Sequence, residues 1–106
     1  MAIENKKKQV LKNILSSHVS IGLKDVNNED IDKGSLRVGI TAELDAINLY
    51  EQLAGAVENG DVKKIFLSVA KEEKTHVGEF QALLMKLDKE HARELEAGKK
   101  EVEDKI

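Results

Sequence analysis

The stretch ITAELDAINLYEQL, residues 40–53, decides how this chain folds. Its apolar residues recur every three to four positions, as one face of an amphipathic helix requires. Extended in both directions, the stripe runs Leu36, Ile40, Glu43, Ile47, Tyr50, Ala54 and Val57. Glu43 therefore stands in the middle of an apolar seam. A second stripe follows with the same spacing: Val62, Phe66, Val69, Glu73, His76, Phe80, Leu83 and Leu87. Between the two, Asn59-Gly60 marks a turn, and Asp61 offers a cap for the helix beyond it. The expected fold is all-α, an antiparallel two-helix hairpin. Its first helix is expected to start between Asn28 and Ser35 and to end near Glu58, and its second to reach about Leu87 or beyond.

The flanking sequence is simpler. Residues 3–19 place Val10, Leu11, Ile14 and Leu15 on one side of a short N-terminal helix, with the lysines at 6–8 as its solvated face. Residues 24–35 are rich in Asn, Asp and Gly, as a loop and a helix start are. The tail from Asp88 reads as a charged C-terminal helix with a break near Gly98. The chain is thus expected to divide into an N-terminal amphipathic segment and linker (1–27), a hairpin with the start of the C-terminal helix (28–97), and a charged tail (98–106).

Composition narrows the function. A chain of 106 residues with two Phe, one Tyr and no Trp builds only a modest core, so oligomerisation is expected. The 20 acidic and 17 basic residues are interspersed, which argues against a nucleic-acid partner. No apolar run approaches the roughly 20 residues that span a bilayer, and no secretory signal opens the chain, so no membrane partner and a cytoplasmic location are expected. Without Cys, any metal must be held by carboxylate, imidazole or water. The lack of Pro, with 35% charged residues, favours long helices.

An unpaired ionised carboxylate inside a helical seam costs several kcal/mol, a large share of the stability of a small domain. Glu43 lies sixteen residues before Asn59, and His76 sixteen after Gly60. In an antiparallel hairpin they face each other about 25 Å from the turn, at about 1.5 Å of rise per residue. Glu73 and His76, three apart, project from one side of their helix. Three donors converge. A di-iron carboxylate bundle takes one Glu from each of two helices and Glu-x-x-His from each of the other two. This hairpin carries half of that set, so a second copy would complete it, with two divalent ions balancing four carboxylates. The alternative is a plain bundle in which Glu43 pairs with a Lys or Arg and Glu73–His76 is an ordinary surface pair. A bare Glu-x-x-His is a weak signal alone. His91 continues an apolar spacing and is expected to pack; His18 is expected to be solvated, and Glu72 to point off the seam.

AELDAINLYEQ, followed thirty residues later by EEKTHVGEF, resembles the ferritin-like superfamily, and the single-hairpin length most resembles the encapsulated ferritins. The resemblance covers about residues 29–95. It implies a ferritin-like four-helix bundle completed by dimerisation, with Glu43, Glu73 and His76 as ferroxidase ligands, Glu73 as the metal bridge and Tyr50 beside the centre. It implies two Fe2+/Fe3+ ions per dimer interface, with Ca2+, Zn2+, Co2+ or Mn2+ as substitutes. It also implies a homodimer as the site-forming unit, a decameric ring of five dimers, and cargo status inside an encapsulin nanocompartment whose shell stores the mineral. Family members can carry a second acidic patch as an access point for iron. Ala42 and Asp45 fall at those positions, so Asp45 alone supplies a carboxylate there. The ending KKEVEDKI lacks the short apolar and basic docking tail of separate cargo, so fusion to the encapsulin shell protein is one expected route of loading. A rubrerythrin-like di-iron peroxidase and a non-catalytic metal-binding helical bundle are the alternative functions.

Overall fold

The computed structural model describes residues 27–106, together with Asn5, Lys6 and Gln9, which are helical. The N-terminal helix expected over residues 3–19, and His18, otherwise lie outside the described residues. Among the described residues from Asn27 onward are three helices and no strand: α1 (Asn28–Ala56), α2 (Gly60–Leu87) and α3 (Lys89–Lys105). The all-α expectation holds.

Each boundary has a local cause. Asn27 caps α1 by accepting the backbone N–H of Asp30 at 2.8 Å, and Glu29 and Asp30 add negative charge at the positive end of the helix. The chain leaves α1 at Val57 in an extended conformation. Asn59, not Asp61, then caps α2: its side chain accepts from the N–H groups of Asp61 at 2.9 Å and Val62 at 3.0 Å. Asp61 sits in the first turn instead, where its charge still favours the helix start. Gly60 is helical, and no described residue has a positive φ, so Asn59-Gly60 turns the chain by capping rather than through a left-handed glycine.

Asp88 serves two helices at once. Its N–H closes α2 on the carbonyl of Leu84, and its carboxylate caps α3 by accepting from His91 N at 2.9 Å. The third helix runs unbroken through Gly98 to Lys105, so the break expected there is absent. Flanked by residues of high helix propensity, a single exposed glycine weakens a helix without ending it. The boundary placed at residue 98 therefore falls inside a helix.

The hairpin seam buries Ile47 and Ala54 from α1 against Ala70 and Leu84 from α2. Leu83 and Leu87 do not belong to it. They are 52% and 42% exposed, whereas Leu84 is 1% exposed. From Phe80 the buried stripe advances by four to Leu84. Leu83 and Leu87 instead continue a neighbouring stripe through Ile65 and His76, at steps of eleven, seven and four. That stripe lies along one open edge of the hairpin. Helical geometry puts Ala42, Ala46, Leu49 and Leu53 of α1 on the same edge. The opposite edge is tied by ion pairs between the helices, Lys74–Glu51 at 2.9 Å and Arg37–Asp88 at 2.5 Å. The hairpin thus has one charged edge and one apolar edge.

Candidate metal centre

Glu43 on α1 and Glu73 and His76 on α2 come together as the shared height about the turn requires. Their ligand atoms lie within 4.8 Å of one another, the one such His, Cys, Asp and Glu group among the described residues. His76 Nδ1 is 3.3 Å from Glu73 Oε2 and 3.4 Å from Glu43 Oε2. The first contact is a hydrogen bond. The second lacks the geometry of one, which leaves Glu43 Oε2 buried with no hydrogen-bond partner. Both carboxylate side chains are mostly covered, at 19% and 18% exposed, while the imidazole is 43% exposed. The cluster opens through His76 onto the apolar edge.

A buried carboxylate oxygen without a donor is unfavourable unless a cation or proton meets it. The donor set suits a hard or borderline divalent ion: anionic oxygens and one imidazole, all within reach of a single point. No described Lys or Arg pairs with Glu43, so the plain-bundle expectation for this residue is not met. Glu72 is exposed, as expected.

Tyr50 lies two turns from Glu43 and packs on Phe66, with ring centroids 6.0 Å apart and planes inclined by 18°. Asp45 is exposed and is not part of the cluster. His91 is half-buried, but its partner is polar: Arg37 Nη2 stands 3.1 Å from its Nδ1 and also donates to Asp88. A guanidinium only donates, so His91 Nδ1 accepts and its proton is on Nε2. The backbone N–H of His91, then the Arg37 guanidinium and the nearby Lys33 ammonium, hold the Asp88 carboxyl below the usual carboxylate range, against the opposing effect of burial.

One Glu on one helix and Glu-x-x-His on the next, in an antiparallel hairpin with an uncovered apolar edge, define half of a ferritin-like four-helix metal protein. The chain belongs to the rubrerythrin family, whose profile matches residues 35–106. That membership implies iron. Over 69 residues, 65% of the chain, it is 59% identical to a ferritin-like–encapsulin shell fusion protein of Pyrococcus furiosus. Over 58 residues it is 47% identical to the encapsulin nanocompartment cargo protein EncC of Myxococcus xanthus. The match covers 20% of the first relative and 45% of the second, so the chain spans less than half of either. The crystal structure of the encapsulated ferritin domain from Pyrococcus furiosus superimposes with a TM-score of 0.72 at 48% identity, covering 81% of this chain and 93% of that one. The expected resemblance to encapsulated ferritins holds.

Proposed function

We propose that this chain is a ferroxidase, oxidising Fe2+ to Fe3+ with O2 at a di-iron centre completed by a second copy of itself. The observation that carries the reading is the buried, unpartnered Oε2 of Glu43 beside His76 Nδ1, on a hairpin that supplies half a ligand set. Two copies about a twofold axis would bring four carboxylates and two imidazoles, whose charge matches two divalent ions. Glu43, Glu73 and His76 would hold the substrate iron, with Glu73 as the bridge and Tyr50 kept beside the centre by its stack on Phe66. Anionic oxygen donors favour Fe3+ over Fe2+, because the attraction grows with the charge of the ion. Each Fe2+ gives up one electron; O2 takes electrons up in pairs with protons and ends as hydrogen peroxide or water.

The relatives' names support a compartment. We place the chain as cargo of an encapsulin nanocompartment, loaded by fusion to the shell protein or by a separate signal, with its ferric product passing to mineral inside the shell. A decameric ring of five dimers is the assembly the resemblance implies. Residues 28–97 would hold the functional unit, preceded by 1–27, with α3 continuing unbroken from it through residues 98–105.

The family match favours one second reading, a rubrerythrin-like peroxidase at the same site. One experiment separates the two. Fe2+ is added anaerobically, the oligomer mass is measured, and O2 or H2O2 is then admitted in a stopped-flow mixer. Faster oxidation by O2 supports the ferroxidase; H2O2 outpacing O2 selects the peroxidase; iron bound without acceleration leaves a non-catalytic bundle. Correctly assembled Glu43→Ala, Glu73→Ala and His76→Ala variants that oxidised iron at the wild-type rate would remove the site assignment.

A further inference from the structure

Gly39 lies one turn before Glu43, and Phe80 one turn after His76, so the two meet at one height beside the donor cluster. A Cβ placed on Gly39 would fall 3.2 Å from both Cδ2 and Cε2 of Phe80. Carbon atoms prefer about 3.5–4.0 Å. The phenyl ring therefore already occupies the space a side chain would need. Gly34, Gly55, Gly78 and Gly98 differ in this respect, since a Cβ at each would meet nothing within 4 Å. Glycine inside a helix is unfavourable relative to alanine, and among the described glycines it is at Gly39 that the space of the missing side chain is occupied.

We propose that Gly39 and Phe80 are positioning residues for the Glu43–Glu73–His76 cluster. The ring seated on the bare backbone sets how closely α1 and α2 approach at the height of the donors. This rests on the cluster being a metal site and goes beyond that reading by naming what fixes its width. A first-row ion with bonds of about 2.1 Å spans at most about 4.2 Å between opposed donors. His76 Nδ1 already stands 3.3 and 3.4 Å from the two carboxylate oxygens, inside that span, and all three donor atoms lie within 4.8 Å of one another, so the cluster has little room to spread. Toward the turn, the Tyr50–Phe66 stack brackets the cluster from the other side. A methyl group on Gly39 would push the ring or the helix by a few tenths of an ångström, and with one side bracketed that displacement falls on the donors.

The test is anaerobic Fe2+ titration by calorimetry, with melting of the metal-free proteins alongside. Changing residues that orient metal ligands typically costs about 10–100-fold in metal affinity, so a shift of a few tenths of an ångström at this distance should weaken Fe2+ binding about three- to tenfold in Gly39→Ala. Gly78→Ala should bind as wild type does, and Phe80→Leu added to Gly39→Ala should restore affinity by making room for the methyl. Wild-type affinity in Gly39→Ala, or a loss that Phe80→Leu does not relieve, would overturn the proposal, as would a change in melting temperature with affinity intact. Wild-type protein that takes up no Fe2+ would sink the metal reading itself, a separate outcome. Should Gly39→Ala not assemble, the double variant decides: assembly with wild-type affinity supports the proposal, and assembly without it refutes it.

Discussion

Replacing Glu43 by Met should move the stability of the metal-free protein and its affinity for iron in opposite directions. The perturbation removes the carboxylate oxygen that is buried without a hydrogen-bond partner and leaves an unbranched side chain of similar length and good helix propensity. An unsatisfied buried polar group costs about 1–3 kcal/mol. The side chain keeps 19% exposure, and His76 Nδ1 stands 3.4 Å away, so the lower end applies. A gain of about 1 kcal/mol raises the melting temperature of a domain this size by about 4–8 °C. Fe2+ at a hundred times its dissociation constant adds about 2.7 kcal/mol to a protein that binds it and nothing to one that does not. The order of melting should therefore invert: Glu43→Met above wild type in chelator, and wild type above Glu43→Met in anaerobic Fe2+. Scanning calorimetry at one fixed pH reads both conditions. A metal-free Glu43→Met that melted at or below the wild-type temperature would show that the carboxylate is satisfied without metal and refute the reasoning.

Acid should loosen the corner between α1 and α3. The Asp88 carboxyl is held below its ordinary range, so its contribution is present above the unfolded carboxylate value and is lost as pH falls through the depressed folded value. Circular dichroism on an acid titration should show helix loss in that window, and Asp88→Asn should flatten it. Gly98→Ala should stabilise α3 by about 0.5–1 kcal/mol, because a Cβ there meets open space inside a continuous helix; an unchanged denaturation midpoint would argue against helix at that position. Leu83→Asp puts a charge on the apolar edge and should reduce the mass seen by light scattering, whereas Leu67→Asp, exposed two turns before Lys74 on the side of the charged edge, should leave it unchanged. Equal effects of the two would remove the edge as an association surface.

The hairpin was legible because two features agreed. The apolar periods of residues 36–57 and 62–87 describe two helices, and the shared distance of Glu43 and His76 from Asn59-Gly60 sets their register; the 3.4 Å contact between them tests both at once. Where period alone carried the reading, it drifted. Leu83 and Leu84 are neighbours separated by about 100° around the helix, and choosing which of them faces α1 requires knowing how the helices cross. The cap at Asn59 was misplaced by two residues because Asn59 and Asp61 are both good caps, and the backbone decides which oxygen reaches the free N–H groups. The polar contact of His91 depends on Arg37, fifty-four residues earlier and on another helix, so no local pattern announces it. Gly39 did leave a signal, an isolated glycine within a helical period, but only the ring of Phe80 gives it meaning.

The uneven edges of the hairpin carry a consequence for how the protein comes to exist at all. Only five apolar side chains among the described residues are buried, and several of the larger ones remain wet along one flank. A chain so built takes much of its free energy of folding from whatever covers that flank, so its persistence depends on the abundance of the covering molecule. If that molecule is another copy of the same chain, maturation becomes a second-order process. Newly made protein below a threshold amount would be left to proteases, and stray iron would seldom meet an isolated half-pocket.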